Sequence, residues 1–344
     1  LRERIGRLAA GLESIGVKPG NTVAVMDWDN HRYLECFFGV PMMAAVLHTI
    51  NVRLSPEQIL FTINHAEDDF ILLHADFVPI IEQIRDRIET SPQFIFLRDD
   101  ALTPRPDFCE YEYESLLKQA NADYEFQDFD ENTVATTFYT TGTTGDPKAV
   151  FYSHRQLVLH TMGMIGGLAS ADSSSRVHRG DVYMPITPMF HVHAWGFPYA
   201  ATLLGMKQVY PGRYDPALLL KLIETEKVSF SHCVPTILHM LLSAPEVEQT
   251  DLSGWKVIIG GAALPQGLAQ AATARGINLF AAYGMSETCP FISIADMSGV
   301  YEVDPQMDLA GRCKTGKPTL MVDMRVVDAE MRDIPRGGSV TGEV

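Results

Sequence analysis

Short unbroken apolar runs alternate along this chain with longer stretches in which apolar residues recur every three or four positions. The first kind suits strands buried on both faces of a sheet, and the second suits amphipathic helices packed against one. Leu1, Ile5, Leu8, Leu12 and Ile15 share one helical face, and Gly16 with Pro19-Gly20 turns the chain after it. Residues 22–26 read as a buried strand. Asp29 or Asn30 caps a helix predicted through about Val46, with Pro41 as its kink or break. Ser55-Pro56-Glu57 starts the next helix, serine as the cap and proline in the first turn. Strands at 70–74 and 93–97 flank a helix over 77–90. Further strands are predicted at 134–138, 149–152, 182–186, 228–232, 257–259 and 279–283, and helices at 154–169, 215–226, 235–243 and 265–275. This order predicts an α/β fold of layered parallel sheets.

Residues 319–327 alternate in part and have no helix after them, as an antiparallel sheet or barrel edge would. The organisation expected is a first α/β half over 1–120, an acidic connector over 121–133, a second α/β half over 134–300 and the start of a β-barrel over 301–344. Leu1 sits inside a helical pattern with no cap before it, and the last residues stop where a strand begins. The chain therefore reads as a piece of a longer protein.

Composition narrows the class. An apolar content of 46% and a charged content of 20% are those of a globular protein. A net charge of −16 without a Lys/Arg stripe argues against a nucleic-acid partner. Cys36, Cys109, Cys233, Cys289 and Cys313 are scattered and odd in number, which suits neither a zinc site nor a disulfide framework and fits a reducing cytoplasm. No apolar run reaches the length of about 18 residues that a membrane span needs.

The densest chemistry is Tyr139-Thr140-Thr141-Gly142-Thr143-Thr144-Gly145-Asp146-Pro147-Lys148, directly after a predicted strand. Glycines let a turn curl with its N–H groups inward, threonine hydroxyls add donors, and Lys148 adds a positive charge, which together suit a polyphosphate. A Walker loop would need Ser or Thr after the lysine, and Ala149 stands there, so a P-loop ATPase or kinase is disfavoured. A Thr/Gly cluster between strands also makes a plain hairpin. Three more segments carry candidate chemistry: Pro188 to Trp195, which follows a strand and is expected to open an apolar helix; Gly260-Gly261-Ala262-Ala263-Leu264-Pro265; and Tyr283-Gly284-Met285-Ser286-Glu287-Thr288. His191 and His193 are two apart and do not share a helix face, so a metal pair is disfavoured and a structural role for either is the ordinary alternative. Paired glycines at a strand-to-helix turn are likewise often only a turn.

Taken together these strings resemble the acyl-adenylating (AMP-forming) superfamily of acyl-CoA synthetases, firefly luciferase and nonribosomal-peptide adenylation domains. The resemblance covers nearly the whole chain and is strongest to the large N-terminal domain of fatty-acyl-CoA synthetases. It implies that Thr140, Thr141, Gly142, Thr143, Thr144, Gly145 and Lys148 cradle ATP phosphates. It places Gly261, Ala262, Ala282, Tyr283, Gly284 and Ser286 around the adenylate, with Tyr283 stacking on adenine. Thr140 and Glu287 would hold Mg²⁺, and Lys148, His191 and Glu287 would carry catalysis. His191, Val192, Trp195 and Gly284 would border the acyl group, with Trp195 as a gate. Departures are Thr141 for serine, Ala149 for glycine, Ser286 for threonine, and Ala281-Ala282 where an amide and a glycine are common. The family's ribose aspartate, hinge and lysine-bearing small domain would lie beyond Val344. The implied activity joins a carboxylic acid, by the resemblance a fatty acid, to CoA through acyl-AMP, using ATP, with a homodimer compatible. An aryl-CoA ligase or another adenylating enzyme is the alternative, and a nucleotide-binding domain without turnover a further one.

Overall fold

The apolar runs become strands because both faces of two sheets are covered. The computed structural model describes residues 1–140, 145–171, 175–295, 305–335 and 337–344. Among these, the first sheet comprises β1 Thr22–Met26, β2 Val46–Thr49, β3 Phe70–His74, β4 Gln93–Leu97, β5 Tyr111–Glu112, β6 Val134–Thr140 and β7 Lys148–Ser153, in the order β5-β4-β3-β1-β2-β6-β7. All its neighbours are parallel except β6 and β7. The second comprises β8 Val182–Pro185, β9 Lys207–Gln208, β10 Phe230–Cys233, β11 Lys256–Ile259, β12 Asn278–Gly284, β13 Phe291–Ile294 and β14 Lys317–Pro318, in the order β14-β13-β12-β11-β10-β8-β9. It is parallel from β9 to β12, and β13 and β14 continue it antiparallel.

Strand alternation divides the second sheet between two cores. Val257, Ile259, Leu279 and Ala281 pack on one face with the helices Pro216–Glu226 and Pro235–Leu242. Tyr183, Phe230, Ile258 and Phe280 pack on the other, with the helix His154–Ser170 and Trp195. At the N-terminal end of the strands, Lys256 Nζ donates to Asp181 at 2.7 Å and to the carbonyl of Arg176 at 2.6 Å. The Ser229 hydroxyl donates to the same carboxylate at 2.8 Å, so this buried pair ties β8, β10 and β11 in register.

Four expectations are corrected. The helix expected through Val46 ends at Gly39; Asn30 caps it by accepting from the Arg32 and Tyr33 N–H groups. Pro41 cannot continue the helical bonding, Ala44 takes a left-handed turn, and Val46–Thr49 becomes β2 in the middle of the first sheet. The helix expected over 77–90 shrinks to Val78–Ile84, flanked by single tight turns at Ala75–Phe77 and Arg85–Arg87. The strands β6 and β7 join the first sheet, so the sheets divide after Ser153 and not at the connector over 121–133. Residues 319–327 form no strand: Met321 is left-handed, and Val327 makes only isolated bridges to Asp333 and Glu343. Among the described residues, no helix is long and apolar enough to cross a membrane.

Candidate active site

The singled-out motifs lie at or just past the C-terminal ends of strands, where open parallel sheets bind ligands. Pro188 to Trp195 follows β8, Gly260-Gly261 follows β11, and Tyr283-Gly284 ends β12. These three stretches meet around a cavity of about 250 Å³, lined by His191, Val192 and Trp195, by Gly260 and Gly261, and by Ala282, Tyr283, Gly284 and Ser286. Met285, from inside the Tyr283 string, and Pro290 and Phe291, which no motif marked, complete it. Ala262 is exposed and lies outside this lining.

Backbone approach explains two of the glycines. A Cβ at Gly284 would sit 1.9 Å from the Pro290 carbonyl oxygen, so only glycine lets β12 pass the returning chain. Gly261 has φ of 76°, and a Cβ there would meet Val234 at 3.0 Å. The result is a stretch of wall without side chains, suited to a flat ring.

The segment after His191 is not the apolar helix that was expected. Val192, His193, Ala194, Trp195 and Gly196 all have positive φ, from 47° to 76°, and form one left-handed turn. The apolar helix begins only at Phe197, with Pro198 in its first turn. Left-handed backbone costs each non-glycine residue roughly 1–2 kcal/mol, so four such residues in a row persist only if their surroundings impose them. The turn sends His193 into the protein and leaves Val192 and Trp195 on the cavity. Trp195 is nevertheless 6% exposed, its ring 5.0 Å from His232 and 6.0 Å from Phe291. Asp29, which the sequence offered only as a helix cap, and Thr49 and Thr136, which it did not mark, hold the turn from the first sheet. Full burial pushes the Asp29 carboxyl up to about 7. The His191 ring is open to the cavity, yet the protein packed around it lowers its pKa by removing water, with the nearby Arg53 charge adding to the effect.

The hairpin of β6 and β7 reaches the same region through β7. Thr140 on β6 pairs with Lys148 on β7, while Thr141, Gly142, Thr143 and Thr144 lie outside the described residues. Gly145 is left-handed and exposed. The Tyr152 hydroxyl donates to the Ser286 carbonyl, joining β7 to the turn that carries Glu287. Lys148, Val150 and Tyr152 share one face of the strand, so Lys148 projects on the side of that turn. Lys148 is exposed and in no ion pair among the described residues. Glu287 opens on a neighbouring cavity of about 320 Å³ with Tyr152 and His160, whose imidazole burial lowers to about 4; Phe291 lines both spaces. Among the described residues no cluster of three or more His, Cys, Asp and Glu could cage a metal. An exposed single carboxylate such as Glu287 fits Mg²⁺, which takes one or two protein oxygens and completes its shell with phosphate and water.

The model of the AMP-binding enzyme family matches residues 1–344, and the chain belongs to that family. It is 38% identical to the long-chain-fatty-acid–CoA ligase of Thermus thermophilus, over 99% of this chain and 61% of that protein. It is 36% identical to the medium-chain-fatty-acid–CoA ligase of Ectopseudomonas oleovorans, over 99% of this chain and 62% of that one. The chain thus spans about three fifths of the curated relatives' length. The fold matches the N-terminal domain of FACL13 from Mycobacterium tuberculosis with a TM-score of 0.80, at 21% identity, covering 96% of this chain and 78% of that one.

Proposed function

We propose that this protein is an AMP-forming acid–CoA ligase acting on a fatty acid. A carboxylate oxygen attacks the α-phosphorus of ATP and pyrophosphate leaves. The CoA sulfur then attacks the acyl carbonyl and AMP leaves. The observation that carries the reading is the single cavity at strand C-terminal ends shared by the His191, Gly261 and Tyr283–Ser286 segments. In this reading the bare Gly260-Gly261 wall and the Tyr283 ring receive adenine, and the Ser286 hydroxyl meets the α-phosphate. Lys148, with Thr140 through Gly145, offsets charge on the departing pyrophosphate. Mg²⁺, held by Glu287 and Thr140, supplies further charge neutralisation there.

A fatty rather than small polar acid is favoured by what lies behind Phe291. That ring also borders an apolar space of about 170 Å³ bounded by Met164, Leu168, Phe280 and Leu320. Acid-dependent ATP–pyrophosphate exchange by the full-length protein tests the assignment. Exchange is expected with medium or long aliphatic acids; a preference for aryl acids would replace the substrate class, and no exchange with any acid would overturn the activity.

Glu287 separates metal binding from folding. It is exposed, so Glu287→Gln keeps the melting temperature. Exchange falls about tenfold or more, since a bound metal contributes several kcal/mol to such a transition state. A full rate at unchanged magnesium demand would take Glu287 out of the metal site.

A further inference from the structure

The turn that presents His191 and Trp195 follows a strand of the second sheet, yet three side chains of the first sheet bond to it. The Met189 N–H donates to Asp29 Oδ1 at 2.8 Å, just past the end of β1. The Thr49 hydroxyl, at the end of β2, donates to the Phe190 carbonyl at 3.0 Å. The Thr136 hydroxyl on β6 donates to the Leu47 carbonyl at 2.8 Å, so its one proton is already used. The 2.6 Å contact between His193 Nε2 and Thr136 Oγ1 therefore has the imidazole as donor. This fixes the proton on Nε2 and leaves Nδ1 bare and unpartnered among the described residues. β1, β2 and β6 are adjacent in the first sheet. Three neighbouring strands thus each place one side chain on residue 189, 190 or 193, at the entry to and inside the left-handed turn.

We propose that Asp29, Thr49 and Thr136 are positioning residues for adenylation: the first sheet is the template that keeps 192–196 left-handed and so holds His191 and Trp195 toward the cavity. The inference rests on the ligase reading for its kinetic consequence but not for its structural one. Relaxing such a turn to right-handed backbone would send Val192 and Trp195 elsewhere and His193 out of its buried seat. None of the three residues lines the cavity. Their loss acts on how the acid is held while the adenine wall, built from β11 and β12, stays in place.

Two isosteric pairs test this in the full-length protein. Thr49→Val and Thr136→Val remove only the hydroxyl; Thr49→Ser and Thr136→Ser keep it. In pyrophosphate exchange the valine variants should lose about 10²-fold in kcat/KM for the acid, through kcat as well as KM, while the serine variants recover most of it. AMP affinity, measured by titration calorimetry, should not change. Acrylamide quenching of Trp195 fluorescence, taken as the difference from matched Trp195→Phe proteins, should rise in the valine variants only. Valine variants with wild-type kinetics and wild-type quenching overturn the proposal. Serine variants as impaired as valine overturn it too, since packing and not the hydrogen bond would then be responsible. If the wild type shows no acid-dependent exchange, the ligase reading fails by itself, and the quenching measurement still decides the template.

Discussion

Lys148→Ala is expected to lower acid-dependent pyrophosphate exchange by about 10²–10³-fold and to leave the thermal melt in place. The size follows from the loss of one preorganised charge at an anionic transition state, ~2.7–4 kcal/mol. The unchanged stability follows from position. Lys148 opens β7 with an exposed side chain and takes part in no ion pair among the described residues, and surface changes of that kind stay within about 0.5 kcal/mol. Its strand is fixed from elsewhere, by six paired positions with β6 and by the Tyr152 bond to the Ser286 carbonyl. The measurement is exchange at saturating acid over a range of ATP and pyrophosphate concentrations, beside a melt. A folded variant with undiminished exchange would remove the hairpin from the active site.

Trp195→Ala loses about 3–5 kcal/mol of stability, the usual loss for a buried aromatic truncated to alanine. That is a large share of a typical total of roughly 5–15 kcal/mol. The indole lies on His232 and Phe291, and a Cβ at Gly260 would come within 3.1 Å of it. Alanine inherits a φ of 58° with no side chain to occupy the space. The ring is also cavity wall, beside the Phe291 that separates the cavity from the apolar space near Met164. Truncation therefore widens the way between the two, and the fraction still folded should accept longer acids or bind acid with less dependence on ATP. Melts and an acid panel on the one variant measure both. A destabilised enzyme with unaltered chain-length preference would confine Trp195 to the core.

Much of this was legible because it is local. The strand at 257–259 is a β-branched run and that at 279–283 an unbroken apolar one, with a helical stretch between them, and both faces of their sheet are buried. The Ser55 and Ser153 capping boxes are written in four consecutive residues each. What was illegible depends on distant partners. His48, fully buried in β2, is held there by the Asp68 carboxylate at 2.9 Å, and nothing within residues 40–50 announces that bond. Val192 to Trp195 have ordinary helix-compatible identities, yet Asp29, Thr49 and Thr136 impose the opposite hand from up to 160 positions away. The hairpin of β6 and β7 follows the acidic connector in sequence, but Thr136, Thr137 and Phe138 lie opposite Leu47, His48 and Thr49, so β2 decides its sheet. The cavity's motif residues were found by their strings; Phe291, which shapes three spaces, sits in an unremarkable Pro290-Phe291-Ile292 run.

The Lys256–Asp181 pair at the other end of the second sheet has a consequence for how the chain is made. The two residues are 75 positions apart, so during synthesis Asp181 emerges several seconds before its cation, at about 5–20 residues per second. Until then its carboxylate has the His178 N–H and, later, the Ser229 hydroxyl as partners, and burying it without a counter-charge is unfavourable. A nascent chain still short of Lys256 has reason to leave the start of β8 in water. On this argument the strand that leads to His191 settles only once β11, two places away in the same sheet, has arrived.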